Sequence, residues 1–436
     1  MTAQRDALET AIDRRGLLAL GLAAGFGAAF LPRLVRAAEQ RELLANVRAV
    51  IARWTGPGLF PGMVASLGLP GREPEFAVRG AEGFTDPDAI GPDSLFRIYS
   101  MTKPVTGMAT MQLIEEGRLG LDQPLYDILP AYRHMMVQDS YDGSLDALHA
   151  APSPITIRQL LTHTSGIGYV IVQRGAIRTL MEDLGLISGQ VSRIAVPGLN
   201  RGEPVRGLDV FADRLATVPL VADPGTRWSY SMGLDLMGRV IEVVSGKPFD
   251  VYLRETIFEP AGMTSTWFQV PAGEAHRLTT NYGALGGGLV PIDGGETSIF
   301  LEPPAFPFGG SGLVSSPRDY DRFLRLLAQS GTIGGQRVLS ENAVRVGTRD
   351  LLPEGMSTAR GFGPPAGFGA GGRVGRGAEG GLFGWSGAAG TVGMTDMVHG
   401  LRSQFFAQFM PPNAVELLPE FQVALKADVT ALLEKS

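Results

Sequence analysis

At 436 residues the chain has room for two or three domains and a well-buried core, which excludes a peptide, a coiled coil or a small disulfide-stapled scaffold. Hydrophobic residues make up 44% and charged residues 19%, with a net charge of -6, a balance of a globular protein that argues against a disordered tail and against a nucleic-acid-binding surface. Cysteine is absent, which removes disulfides, thiolate metal sites and a cysteine nucleophile together, and lysine occurs only at Lys103, Lys247, Lys426 and Lys435.

Residues 1–37 read as an export signal. Arg14 and Arg15 precede an uncharged run from Gly16 to Pro32, and Val35-Arg36-Ala37 offers small residues around a cleavage site. The paired arginines are similar to a twin-arginine leader, which implies a periplasmic or secreted protein. The run falls short of the roughly 20 residues that a membrane span needs, so the mature form is expected to have no stable span.

From Glu39 to Trp54 apolar residues recur at helical spacing, and strands are expected at Gly62 to Leu69, Glu75 to Gly80 and Leu95 to Ile98. A long helix follows from Met101 to Glu116, with Pro104 tolerated in its first turn. Short helices and Pro- and Gly-rich loops alternate from Ala151 to Pro260, and Leu234 to Val244 has the spacing of one helix face. Beyond a low-charge, Gly- and Pro-rich stretch (Arg277 to Pro307), a helix is expected from Pro317 to Gln329. Glycine dominates from Gly361 to Gly393, as either flexible loop or strands in close backbone contact. A strand from Leu401 to Phe409 and a helix from Ala414 to Leu433, interrupted near Pro419, close the chain. These elements describe an α+β protein: an antiparallel sheet flanked by helices, built from residues 38–99 and 281–436, with a mostly helical domain, residues 100–280, inserted.

Several chemistries lack their residues. The five histidines contain no His-x-x-x-His pair, so no metal is expected. Gly375 to Gly380 matches a dinucleotide glycine pattern without a strand before it or a helix after it, and reads as loop. There is no phosphate-loop lysine and no Gly-x-Ser-x-Gly elbow. What remains is Ser100-Met101-Thr102-Lys103, where a strand gives way to the long helix. Residues three apart share a helix side, so the Lys103 amine can reach the Ser100 hydroxyl, and the helix start favours negative charge on the serine oxygen. The bland alternative is a helix-capping serine.

Companion motifs make that match specific. Tyr230-Ser231-Met232 follows the turn Asp223-Pro224-Gly225-Thr226, and Gly384-Trp385-Ser386-Gly387-Ala388-Ala389-Gly390-Thr391 lies near the C-terminus. With Leu161 to Gly166, Gly312 to Tyr320 and Gln408 to Pro411, they resemble the serine β-lactamase and penicillin-binding-protein superfamily over most of the chain. Within it the chain looks most similar to class C β-lactamase-like esterases, the family VIII carboxylesterases, and to related acyltransferases. The resemblance implies a β-lactamase/transpeptidase-like fold and a cofactor-free serine hydrolase. Ser100 would be its nucleophile, Lys103 the proton partner, and Tyr230 a general base or acid hydrogen-bonded to Lys103. The backbone N–H groups of Ser100 and Ala388 would form the oxyanion hole.

Two positions depart from the lactamase pattern: Met232 stands where Asn is usual, and Trp385 where Lys or His would pair with a substrate carboxylate. Both point to neutral esters, with Trp385, Ser386, Gly387 and Met232 contacting a small-molecule ester and Trp385 forming an apolar wall. The alternatives left open are a β-lactamase or D-amino-acid peptidase, an acyltransferase, and a non-catalytic penicillin-recognising module. His163 reads as structural rather than as a triad base, and Asp122 as a cap on the turn after Gly120 rather than a triad acid. Oligomeric state is not legible in these residues.

Overall fold

The structure, a computed structural model, describes residues 43–187, 189–194, 202–285, 287–358 and 364–434. Residues 1–37, expected from the sequence to be an export signal, and Lys435 lie outside the described residues.

A seven-stranded antiparallel sheet carries the fold. Its strands in chain order are β1 (Gly62–Gly68), β2 (Glu75–Gly80), β3 (Gly367–Phe368), β4 (Arg373–Val374), β5 (Leu382–Gly387), β6 (Thr391–Asp396) and β7 (Leu401–Phe406). Their spatial order is β3-β4-β5-β6-β7-β1-β2, so the N-terminal hairpin is zipped onto strands from the other end of the chain, with Val64 opposite Phe406. Every residue of β1 is buried, because both faces of the sheet are covered. On one face Met63, Ala65 and Leu67 pack with helices α1 (Ala45–Trp54) and, from the chain end, Leu417–Leu433. On the other, Val64 and Phe406 join the large core that also contains helix α2 (Thr102–Glu115), helix α3 (Gly233–Ser245) and helix α4 (Pro317–Ala328).

The last helix, α5 (Leu417–Leu433), is not interrupted at Pro419 as the sequence suggested. Pro419 falls in its first turn, where no intrahelical N–H is needed. The strand expected to run from Leu401 to Phe409 stops at Phe406. The chain turns there because Gln408 is taken into a buried network with Arg97, and Phe409–Met410 pairs in parallel with Tyr282–Gly283. Of the two readings of the glycine-rich stretch from Gly361 to Gly393, its described residues take the second, supplying strands β3 to β6.

Helix α2 is buried along almost its whole length, so its environment is protein on every side. It packs against α3, against the helix Glu341–Gly347 and against β5. The strap 309–313 runs along it, fixed by Thr106 Oγ1 donating to Gly309 O (2.7 Å) and by Leu313 N donating to Thr102 Oγ1 (3.1 Å).

The two ends of the chain are latched by one carboxylate. Asp428 of α5 accepts from Asn46 N (3.1 Å), Asn46 Nδ2 (2.6 Å) and Val47 N (3.0 Å), capping the start of α1, where Leu44 provides no side-chain cap. Asp428→Ala is expected to lower stability by about 2 kcal/mol, read from the midpoint of urea unfolding, because it strands buried donors as well as removing a cap.

Candidate active site

The site begins with a short strand, Phe96–Arg97, anchored three residues ahead of Ser100. Arg97 is fully buried; its guanidinium donates to Asp293 Oδ2 (2.7 Å), Thr279 O (2.5 Å) and Ser298 Oγ (3.0 Å), so the burial of its charge is matched by paired acceptors. The chain then bends sharply. Tyr99 has φ 41°, a left-handed conformation that is uncommon for a bulky residue, and residues Tyr99–Met101 form one turn of 3₁₀ helix before α2. Tyr320 Oη donates to Met101 O (3.0 Å) and holds the bend from the side of α4. Ser100 therefore sits at the helix entrance rather than within α2, and it is partly exposed where its neighbours are buried.

Lys103 lies one turn further on and is fully buried. Its Nζ donates to Ser100 Oγ (3.3 Å) and to Gly310 O (2.7 Å). Two rings flank it, with Nζ 4.5 Å from the centroid of Tyr230 and 5.5 Å from that of Tyr169. The hydrogen bond expected between the Tyr230 phenol and Lys103 is not formed: Nζ meets the ring face, and Tyr230 Oη instead accepts from Trp385 Nε1 (3.1 Å). The one N–H donor of the Trp385 indole is thus committed to Tyr230.

β5 brings the remaining residues. It packs against the 99–101 turn, and a Cβ on Gly387 would collide with Ile98 O, so only glycine lets the strand end come this close. Ala388 follows in the turn between β5 and β6, partly buried beside the cluster that holds Tyr99. Ser386 is exposed, and Trp385 is buried against Tyr230 (ring centroids 5.8 Å) and Phe368 (5.2 Å). Met232 has to be corrected. It is fully buried in the main core at the cap of α3, with its N–H donated to Gly168 O (3.2 Å), and so offers no surface to a substrate. Asp122 is neither a triad acid nor a turn cap; it forms a paired bond to Arg158 (2.6 and 2.7 Å) in solvent.

Two residues join the site that motif reading passed over. Asp235, in the first turn of α3, accepts from Gly310 N (2.8 Å), while its Oδ2 has no hydrogen-bond partner among the described residues. The 309–310 peptide is thus bracketed by Thr106 and Asp235, and Gly310 O is presented to Lys103. Burial pushes the Asp235 carboxyl up to about 6, against the opposing pull of the nearby Lys103 charge and the Gly310 N–H. The signal in the sequence is a carboxylate inside the apolar run from Met232 to Met237. Tyr169, whose phenol burial pushes well above its ordinary value, carries no such signal beyond following the Leu161 to Gly166 landmark.

A family model described as Beta-lactamase matches residues 47–427. The chain belongs to the Beta-lactamase family. Protein Rv1367c of Mycobacterium tuberculosis is 36% identical over 362 residues, covering 77% of this chain and 83% of its own. Esterase EstB of Burkholderia gladioli is 30% identical over 325 residues, covering 70% and 74%. The solved structure of EstCE1, described as a hydrolase with promiscuous acyltransferase activity, is similar with a TM-score of 0.71 at 24% identity, over 88% of this chain and 98% of that one. The β-lactamase/transpeptidase-like fold expected from the motifs is therefore the fold of this Beta-lactamase family member. Among the described residues, no helix is long and apolar enough to cross a membrane.

The raised Asp235 carboxyl has a consequence for stability. Its folded value of about 6 lies above the ordinary 3.8, so folding takes up a proton between these values. This contribution is fully present below about pH 4 and is lost as pH rises through about 6. Urea midpoints measured from pH 4 to 7 are expected to show that decline in the native protein, and Asp235→Asn to make it shallower, the buried carboxyls of Glu82, Asp319 and Asp321, also raised by burial, supplying the remainder.

Proposed function

We propose that the chain is a serine hydrolase that cleaves short-chain carboxylic esters through an acyl-enzyme on Ser100. The observation that carries the reading is the partly exposed Ser100 hydroxyl at a strained helix entrance, 3.3 Å from the amine of a buried lysine. Ser100 Oγ attacks the ester carbonyl, its proton passing to the Lys103–Tyr230 pair and from there to the departing alcohol as the carbon–oxygen bond breaks. Water then hydrolyses the acyl-enzyme by the reverse proton route. The backbone N–H groups of Ser100 and Ala388 receive the charge that develops on the carbonyl oxygen, an assignment supported by the contact of Gly387 with Ile98. Trp385 in place of a cation favours neutral esters over β-lactams or peptide carboxylates. The promiscuous acyltransferase activity of the structurally similar EstCE1 supports a second outcome, transfer of the acyl group to an alcohol or amine instead of water.

Ser100→Ala and Lys103→Ala are each expected to lower kcat/KM for p-nitrophenyl butyrate by at least about 10³-fold, and Tyr230→Phe by about 10²-fold or more. A fluorophosphonate should modify Ser100 alone, mapped by mass spectrometry. Full turnover by the Ser100→Ala variant defeats the proposal, and nitrocefin hydrolysis outpacing ester hydrolysis moves it to the lactamase branch.

The leader supports export to the periplasm or beyond as part of the same proposal. Replacing Arg14 and Arg15 by lysine should retain the protein in the cytoplasm, read by cell fractionation.

A further inference from the structure

His163 belongs to the landmark Leu161 to Gly166, and the ester mechanism above makes no use of it. It is fully buried, and its backbone is held in the left-handed region at φ 57°. Such a conformation persists where the surroundings over-determine it. Here they do so on both sides of one catalytic residue. The carbonyl oxygen of His163 accepts from Ser229 N (2.9 Å). Its Nδ1 accepts from Ser231 N (3.2 Å) and lies 2.8 Å from Ser231 Oγ. Ser229 and Ser231 are the two neighbours of Tyr230 in the chain, so a single residue grips the backbone before and after the tyrosine. The imidazole also packs on the tyrosine itself, with ring centroids 4.6 Å apart.

The hydrogen bonds fix the tautomer. Because the Ser231 N–H is donated to Nδ1, that nitrogen carries no proton, so the Ser231 hydroxyl donates to it as well. The same hydroxyl accepts from Gly233 N (3.2 Å) at the start of α3, which carries the grip on into the helix. The imidazole proton is then on Nε2, which has no hydrogen-bond partner among the described residues, and the ring stands edge-to-face with Trp228 and Phe368 (ring centroids 5.8 and 5.1 Å). Burial, with a smaller contribution from the Lys103 charge, holds the imidazole well below its ordinary value, so it stays neutral at working pH. A neutral ring whose one acceptor is spent on Ser231 does not exchange protons with Ser100.

We propose that His163 is the positioning residue for Tyr230: through its carbonyl and Nδ1 it clamps Ser229 and Ser231, and so holds the phenol beside Lys103 and in reach of the Trp385 indole. The inference rests on the reading of Tyr230 as a proton-handling group. Tyr230 gains little from its own backbone, because it lies in the non-helical segment between the turn at Asp223 and the start of α3. A displacement of about 1 Å in a proton-transfer group can cost on the order of 100-fold in rate, so an exact hold on this segment has a catalytic consequence.

The role makes a specific demand on the side chain. The δ-atom of asparagine occupies the place of Nδ1, and asparagine tolerates positive φ, so His163→Asn keeps both requirements. Glycine tolerates the φ but has no acceptor, and glutamine reaches only the place of Nε2. Steady-state kinetics on p-nitrophenyl butyrate, with circular dichroism to confirm folding at the assay temperature, distinguish these cases. His163→Gly and His163→Gln are expected to lose about 30-fold or more in kcat with KM changed less than about threefold, whereas His163→Asn stays within about fivefold of the native kcat. The acid limb of the kcat/KM pH profile should be the same in His163→Asn as in the native protein. In a Tyr230→Phe background, His163→Gly should slow fluorophosphonate labelling of Ser100 by less than about threefold, since the residue it positions has lost its hydroxyl.

Full kcat in His163→Gly overturns the proposal, as does retention of activity by glutamine with its loss in asparagine, or an acid limb that moves in His163→Asn. Failure of the underlying reading looks different: full activity in Tyr230→Phe removes the function that His163 would serve, whatever its own variants do.

Discussion

Bare backbone pressed against one helix is the constraint on which the active site depends. A Cβ on Gly107 would collide with Ala370 O, one on Gly371 with Lys103 O, and one on Gly387 with Ile98 O. Helix α2 and the turn before it are therefore approached at main-chain distance by the loop between β3 and β4 and by the end of β5. This explains why so glycine-rich a stretch folds into strands: the missing side chains are what let the sheet reach the helix that carries Ser100 and Lys103. The conformational entropy lost in ordering those glycines is offset by burial of α2 in the main core, which fixes the helix axis and with it the direction of both side chains.

Charge inside this packing is handled pairwise. Arg97, wholly buried, gives its N–H groups to Asp293, Thr279 and Ser298 while Gln408 bonds its backbone on both sides, so the strand leading to Ser100 is tied to three distant segments. Among the described residues, Lys103 has no direct carboxylate bond. Its partner Asp235 acts across the 309–310 strap, through the hydrogen bonds at Gly310 and through space. A direct contact would have occupied the amine with a strong acceptor; the indirect one leaves a bond for Ser100 Oγ. In the same cluster, His163 bonds the residues on either side of Tyr230 and Trp385 donates to its oxygen.

How much of this the sequence disclosed follows from how local each determinant is. Ser100 and Lys103 were legible because one helical turn fixes their separation, and Tyr230 and Trp385 because family motifs surround them. The strands β1 and β2 and the helices α3 and α4 were legible from apolar spacing. Asp235 was not, since a carboxylate in a first helical turn reads equally as a complement to the helix dipole, and only the folded strap shows what it faces. Met232 misled because its motif position implied a substrate contact, while the packing beneath α3 decides its burial. The Leu401 to Phe409 strand ended early for a reason no periodicity contains, the capture of Gln408 by an arginine more than three hundred residues away. Likewise Tyr230 was expected to bond Lys103, and the indole of a strand near the C-terminus took that oxygen instead.

The scarcity of lysine has a practical side. Lys103 has no solvent-exposed surface, whereas Lys247 and Lys426 are exposed. Amine-directed reagents, whether dyes, cross-linkers or activated supports, meet only outer amines on the described part of the chain. Covalent tethering through lysine thus anchors the molecule at a few chemically defined points and leaves the amine next to Ser100 untouched.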